Sequence, residues 1–252
     1  MNAPTDHLTV PVQPAATVML VRDCTDHDDL EVFLLRRNFG SVFGGGMYVF
    51  PGGRVDPSDQ LVSAAVQSSG LTDAAASQVL GLDRGGLAYW VAALRECFEE
   101  AGVLLARSIA TGTEVHFGDS ATHERYTIAR HLIHAGSVSL AEFCQAEGLR
   151  LMTNEVRYVS HWATPLGGPR RFNTRFFLAR NPDGQQPLHD HGETVESRWI
   201  RPKVALELER SGDLEMMTPT IASLQFLAQF RSAIGAMRSS ARFQGDISSL
   251  AL

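Results

Sequence analysis

Apolar and polar positions follow two different periods along this chain, and these periods predict both strands and helices. Short apolar or β-branched runs, bounded by polar residues, glycine or proline, predict strands at 16–21, 30–35, 47–50, 156–162, 172–179 and 195–200. Apolar residues three and four positions apart between Leu87 and Ala101, with Gly102 as a C-terminal stop, predict a helix. The pattern therefore predicts an α/β (α+β) fold, with a mixed β-sheet sandwiched between helices and with helical insertions.

Further segments predict helices around that sheet. Alanine and serine dominate residues 60–80, which predicts a helix broken at Gly70 and Gly81. Apolar spacing predicts accessory helices at 119–147 and closing helices at 202–210 and 218–238. Residues 51–53, Pro-Gly-Gly, predict a sharp turn because proline fixes φ and glycine permits positive φ.

These elements predict a single domain. At 252 residues and 44% hydrophobic content, the chain is long enough to bury a sizeable core. Prolines and polar residues near the start predict a flexible arm. We expect an arm at 1–14, one domain at 15–238 with an insertion at about 60–86 and accessory helices at about 119–147, and a tail at 239–252.

Charge and composition limit the partners and the compartment. The formal net charge of −6 offers no general surface for nucleic acid, so we expect a small-molecule partner and no nucleic-acid partner. Only three cysteines occur, without metal-type spacing, which is typical of a reducing compartment. No apolar run approaches the roughly 20 residues that span a bilayer, and the start is unlike a signal peptide. We expect a cytoplasmic protein without a membrane partner.

Three glutamates carry the candidate chemistry. Glu96, Glu99 and Glu100 lie three and four positions apart within the predicted helix, so their carboxylates project near one another. Like charges at this spacing cost an isolated helix roughly 0.2–0.5 kcal/mol per pair, and a divalent cation would turn repulsion into attraction. Oxygen ligands favour Mg²⁺ or Mn²⁺. A merely solvated acidic face is the alternative that these three residues leave open.

The surrounding residues resemble the Nudix box, Gly-x5-Glu-x7-Arg-Glu-aliphatic-x-Glu-Glu-x-Gly-aliphatic. Residues 95–103, Arg-Glu-Cys-Phe-Glu-Glu-Ala-Gly-Val, match its second half, with Cys97 at an aliphatic position. Phe-Pro-Gly-Gly at 50–53 matches the turn that opens the box. Gly53 and Arg95 are 42 positions apart where the pattern has 14, so 28 residues are inserted. Counting six positions from Gly53 reaches Asp59, which places the insertion after Asp59.

A box split in this way resembles the peroxisomal-type Nudix coenzyme A diphosphatases and their bacterial relatives. The resemblance extends through most of residues 14–230, including Trp-Ala-Thr-Pro at 162–165 and the arginine-rich segment 170–178. It implies a Nudix fold and metal-dependent hydrolysis of coenzyme A or acyl-coenzyme A to 3′,5′-ADP and (acyl-)4′-phosphopantetheine. In a coenzyme A signature ahead of the box, Arg37, Gly46 and Phe50 fit, whereas Val42 replaces an arginine.

The resemblance also assigns roles to residues. Glu96, Glu99 and Glu100, with the Gly52 carbonyl, would hold Mg²⁺ or Mn²⁺, and Arg95 would orient the glutamates by charge-assisted hydrogen bonds. A late-loop carboxylate completes such sites as base or ligand. The candidates are Glu193 first and Glu196 second, and the general base is left open among the glutamates. The expected catalytic set is Glu99, Glu100, Arg95 and Glu193.

The substrate side leaves alternatives open. The candidate phosphate-binding residues are Arg36, Arg37, Arg170 and Arg171. Residues 189–191, His-Asp-His, favour a polar turn over a zinc site. NAD(H), an ADP-sugar or another nucleotide would suit the same chemistry, and a nucleotide-binding Nudix domain without catalysis is a further alternative. The oligomeric state is left open, with a homodimer as one alternative.

Overall fold

A mixed sheet forms the centre of the protein, of which the computed structural model describes residues 10–60, 70–167, 170–190 and 192–240. Seven strands of the described chain belong to this sheet: β1 Val12–Asp23, β2 Leu30–Arg37, β3 Tyr48–Val49, β4 Gly52–Arg54, β7 Arg157–Ala163, β8 Arg171–Arg180 and β9 Thr194–Ile200. A separate antiparallel pair joins β5 Ala106–Ser108 to β6 Leu149–Leu151. All six predicted strands are present, and the β5–β6 pair is an addition.

The sheet has the order β3-β2-β1-β8-β7, while β4 also pairs with β1 and β9 with β2. β1 and β8 run parallel, and the other pairs are antiparallel. The chain bends at Pro51, within the predicted turn, and residues 52–54 then form a short strand that the sequence did not predict. Local sequence favours a turn there, but backbone pairing with Ala15, Ala16 and Thr17 extends the chain. Residues 12–14, assigned by sequence to the arm, lie in β1.

Seven helices with described bounds flank the sheet. They are α1 Asp73–Leu80, α2 Leu87–Ala101, α3 Ser120–His134, α4 Leu140–Ala146, α5 Pro202–Ser211, α6 Thr218–Leu227 and α7 Ala233–Ser240. Of the helix predicted at 60–80, residue 60 and Asp73–Leu80 are helical and residues 70–72 are not, while residues 61–69 lie outside the described chain. The helix predicted at 218–238 is two helices, since α6 ends at Leu227 and α7 starts at Ala233.

Each face of the sheet packs against its own helices, as the sequence predicted. Alternation along β1 places Val18 and Leu20 in the core shared with α1 to α4, and Met19 and Val21 in the core shared with α5 to α7. A fully buried side chain of this size contributes roughly 1.5–3 kcal/mol relative to exposure. The first of these cores fixes α2 against one face of the sheet.

The start of α2 is held by α1. Gly86 has no side chain to cap α2, but the Asp73 carboxylate accepts hydrogen bonds from the Leu87 amide at 3.0 Å and the Gly85 amide at 2.9 Å. A Cβ on Gly86 would lie 2.3 Å from the Ser77 amide nitrogen, so glycine permits this close approach. The segment inserted into the box thus sets the position of the helix that carries the glutamates.

Candidate active site

Four charged side chains are buried on the last two turns of α2. Arg95, Glu96, Glu99 and Glu100 are each at most 9% exposed, because α2 lies between the sheet and α3. Buried charges need opposite charges and hydrogen bonds to offset the loss of hydration. The cluster is therefore a buried group of charges, and the alternative of a solvated acidic face is wrong.

Arg95 is the organising residue of the cluster. Its guanidinium donates to both carboxylate oxygens of Asp59 at 2.9 and 3.1 Å, and to Glu96 and Glu99 at 2.8 and 3.1 Å. It also donates to the Arg54 carbonyl at 2.7 Å. Burial lowers the pKa of Arg95, but the nearby carboxylates, Glu96 first, outweigh this effect and raise the pKa above its ordinary value. Arg95 thus contacts two glutamates and is itself held by Asp59, while its role in orienting the glutamates stays a prediction.

Strand β4 touches the glutamates through its two glycines. A Cβ on Gly53 would lie only 2.4 Å from Glu96 Oε1, so the strand approaches α2 this closely only with glycine there. The Gly52 amide donates to Glu100 Oε2 at 2.8 Å. The two halves of the box, separated in sequence by the insertion, thus meet at Glu96 and Glu100.

The glutamates carry more negative charge than their surroundings compensate. Burial, with repulsion from Glu96, raises the pKa of Glu100 well above its ordinary value, against the opposing effects of the Gly52 amide and Arg37. Burial likewise raises the pKa of Glu96 to about 7 and also raises that of Glu99, against the effect of Arg95. Such a donor set fits a divalent cation of the Mg²⁺ or Mn²⁺ type. Within the described ranges, no group of three or more histidine, cysteine, aspartate or glutamate side chains is already arranged to hold a metal ion.

Helix α3 supplies two residues that the sequence did not single out. Arg130 donates to the Glu99 carbonyl at 2.7 Å, the Glu100 carbonyl at 2.9 Å and the Leu188 carbonyl at 3.0 Å. A cation at these carbonyls also suits the negative end of the helix dipole. His134 Nδ1 lies 3.6 Å from Glu99 Oε2. The accessory helix therefore contacts the acidic cluster directly.

The loop before β9 brings Glu193 toward α2. Its Leu188 amide donates to the Ala101 carbonyl at 2.9 Å, which docks the loop on the end of α2. The Asp190 carboxylate then accepts from the amides of Glu193 and Thr194, both at 2.9 Å. Glu193 is exposed and close enough to raise the pKa of Glu100. The second choice, Glu196, instead accepts a 2.8 Å hydrogen bond from the Tyr48 hydroxyl and pairs with Arg198.

The residues around His189 favour the polar-turn interpretation. His189 Nδ1 contacts the Ser197 hydroxyl at 3.0 Å, and Asp190 is engaged by the turn. His191 lies outside the described residues.

The four candidate arginines have different surroundings. Arg37 is partly buried, its Nε has no hydrogen-bond partner in the described chain, and its charge lowers the pKa of Glu100. Arg36 donates to the Gly46 carbonyl and lies over the Phe39 and Tyr48 rings. Arg170 is exposed, and Arg171 is held by backbone carbonyls at Val10 and Thr164. Arg37 therefore acts electrostatically on Glu100.

The fold and the site together define a Nudix domain, with both halves of a divided Nudix box joined at the acidic cluster. The chain belongs to the NUDT19 Nudix domain family, whose model matches residues 67–227. This match confirms the predicted resemblance, and a solved Nudix structure confirms the fold class.

Related proteins and a solved structure agree with the family. The chain is 26% identical over 232 residues to a Xenopus laevis protein named acyl-coenzyme A diphosphatase NUDT19, covering 80% of this chain and 60% of that protein. It is 28% identical over 242 residues to the Gallus gallus protein of the same name, covering 81% and 62%. The chain thus spans about three fifths of the length of these curated relatives.

The similarity to a solved structure extends over nearly the whole chain. A NUDIX hydrolase from Alicyclobacillus acidocaldarius superposes with a TM-score of 0.75 and 28% identity, covering 91% of this chain and 97% of the other.

No helix in the described parts of the chain is both long and apolar enough to cross a bilayer.

Proposed function

We propose that this protein is a Mg²⁺- or Mn²⁺-dependent diphosphatase that cleaves coenzyme A or acyl-coenzyme A. The products would be 3′,5′-ADP and (acyl-)4′-phosphopantetheine. The observation that carries the proposal is the buried group of Glu96, Glu99 and Glu100 on one helix, organised by Arg95. The names of the Xenopus laevis and Gallus gallus relatives support the substrate class.

The metal would be held by Glu96, Glu99 and Glu100, with the Gly52 carbonyl as a further ligand. Arg95 occupies one oxygen of Glu96 and one of Glu99, which leaves the second oxygen of each carboxylate for a cation. When bound, the metal neutralises charge on the diphosphate oxygens and acidifies a water molecule. The buried excess of negative charge supports this assignment, because a cation would offset it.

The remaining catalytic work falls to residues of the chain. Arg95 orients Glu96 and Glu99, and Glu193 serves as a proton acceptor or a further ligand from the loop docked on α2. We assign Arg37 to a phosphoryl oxygen, and its electrostatic effect on Glu100 and the lack of an ion-pair partner in the described chain support this assignment. Arg36, Arg170 and Arg171 remain further candidates for phosphate contacts. The substrate we propose is a small nucleotide derivative, and the cytoplasmic location and homodimer stay predictions.

The test is turnover of coenzyme A and acyl-coenzyme A by the purified protein with Mg²⁺ or Mn²⁺, with products resolved by mass. We expect 3′,5′-ADP and 4′-phosphopantetheine, and their loss in Glu99→Gln. Consumption of NAD(H) or an ADP-sugar with coenzyme A left intact would contradict the substrate but keep the chemistry. Absence of cleavage of every diphosphate would favour the alternative of a binding domain without catalysis.

A further inference from the structure

A second buried charge lies on the same face of the sheet as the acidic cluster. Arg175 of β8 is 6% exposed, and its Nε has no hydrogen-bond partner in the described chain. Its guanidinium donates to the Leu80 carbonyl at 3.4 Å and lies over the Tyr89 ring, 6.0 Å from the ring centroid. Neither contact carries a full negative charge. A buried guanidinium without a carboxylate is unfavourable, because buried charges are normally paired.

The register of the sheet places Arg175 beside the candidate active site. Ala16 of β1 pairs with Gly53 on one side and with Arg175 on the other. Directly paired residues share a face of the sheet, so Arg175 projects toward α2, as Gly53 does where it meets Glu96. Two inter-strand spacings separate Gly53 from Arg175, roughly 10 Å between Cα atoms. A single bound nucleotide could therefore contact both the Arg175 guanidinium and the acidic cluster.

The face of β8 that carries Arg175 is apolar after this residue and polar before it. Phe177 and Ala179, two and four residues further along, belong to the apolar core. Asn173 lies two residues before Arg175, and its side chain bonds to His161, which pairs with Arg175 across β7 and β8. Both Asn173 and His161 are partly exposed, as is Tyr89 of α2. The face therefore changes from apolar core to a polar, partly open lining at Arg175.

We propose that Arg175, with Tyr89, Asn173 and His161, forms a subsite for a second phosphoryl group of the substrate. The ligand is a phosphomonoester carried on the same nucleotide as the diphosphate. This inference rests on the proposed function, under which that group is the 3′-phosphate of coenzyme A. Arg175 supplies the charge that the dianion requires, and the hydroxyl, amide and imidazole supply further hydrogen-bonding groups. The subsite makes Arg175 a specificity residue, distinct from the four arginines assigned from sequence.

The test compares coenzyme A with dephospho-coenzyme A, which lacks only the 3′-phosphate. In the unmodified protein we expect the KM for coenzyme A to be at least about tenfold lower than that for dephospho-coenzyme A, because only coenzyme A makes the charge-assisted contact through its 3′-phosphate. Arg175→Met should raise the KM for coenzyme A by at least about tenfold and leave that for dephospho-coenzyme A within about twofold. Arg180→Met, on the same strand but paired with Asp183, is the matched control and should change neither. Equal effects of Arg175→Met on both substrates would overturn the subsite and indicate a structural role at the end of α1.

A binding measurement separates this inference from the proposed function. Calorimetry with 3′,5′-ADP and with 5′-AMP needs no turnover, and the unmodified protein should bind 3′,5′-ADP at least about tenfold more tightly. Arg175→Lys, which keeps the charge, should retain part of that preference. Equal affinity for the two nucleotides in the unmodified protein would overturn the subsite even if coenzyme A is cleaved. A preference for 3′,5′-ADP in a protein that cleaves no diphosphate would support the subsite while contradicting the proposed function.

Discussion

The two faces of the central sheet bury different kinds of side chain. The face toward α5 to α7 is filled by apolar groups such as Met19, Leu34 and Leu178. The face toward α2 is equally apolar over most of its area, but near β4 it buries the acidic cluster and Arg175. Both charged groups lack full compensation from the protein itself. The comparison indicates that one face serves stability and that the other buries charge at a cost in stability, as the proposed function requires of a site for charged ligands.

The largest effect should follow from a change within the acidic cluster. Glu100→Gln keeps an oxygen for the Gly52 amide but removes a charge, so we expect turnover to fall on the order of 100- to 1000-fold. The melting temperature of the metal-free protein should hold or rise, since a buried charge is removed. Steady-state kinetics and thermal denaturation measure both quantities. Glu124→Gln, at an exposed position of α3, is the control and should leave turnover unchanged. Unchanged turnover in Glu100→Gln would contradict the difference drawn between the two faces.

A change on the apolar face should have the opposite outcome. Leu178→Ala removes a fully buried side chain and should lower the free energy of unfolding by about 2–5 kcal/mol. Turnover well below the melting temperature should stay within about twofold, because Leu178 points away from α2. Denaturant titration and kinetics test this, with the exposed Leu166→Ala as control. A large loss of turnover in folded Leu178→Ala would mean that the two faces are not separable.

An intermediate effect is expected at Arg130, which joins α2 to the loop of Glu193. Arg130→Met removes hydrogen bonds to three carbonyls, so we expect turnover to fall about tenfold with little change in KM. In a Glu193→Gln background the same change should have a smaller effect, because Arg130 acts through the position of Glu193. Arg125→Met, on the same helix as Arg130, removes an ion pair with the partly buried Glu147 that follows α4, and serves as control. Additive effects of the two changes would contradict this positioning role.

The smallest effect concerns pH and the metal-free protein. Burial raises the pKa of Glu96 from 4.5 to about 7, so folding favours its protonated form. That contribution is complete below pH 4.5 and is lost as pH rises through about 7. The melting temperature should therefore fall less steeply over this range in Glu96→Gln than in the unmodified protein. Identical slopes would show that burial leaves the titration of Glu96 unchanged.

Sequence predicted the elements whose causes are local. The helix at 87–101 is present with those bounds, because apolar spacing and Gly102 act within the segment itself. The strand Gly52–Arg54 was missed because its cause is pairing with β1, which no local pattern records. Asp59 was reached only by counting along the box, although it holds Arg95 through two hydrogen bonds.

The missed site residues share one physical reason. Arg130 lies 31 and 30 residues from the two carbonyls of α2 that it binds, and nothing in its own helix distinguishes it from a solvated arginine. Arg175 is one of several arginines along its strand, and only the alternation of faces with the β1 register separates it from the others. The acidic cluster was predictable because its members lie within one helix.

Metal binding tests the central claim most directly. Calorimetric titration of the metal-free protein with Mn²⁺ should give saturable binding, and Glu99→Gln and Glu100→Gln should weaken it at least about tenfold, while Glu124→Gln binds as the unmodified protein does. Failure of the unmodified protein to bind Mn²⁺, or equal binding by all the variants, would contradict the account of the buried glutamates as a metal site.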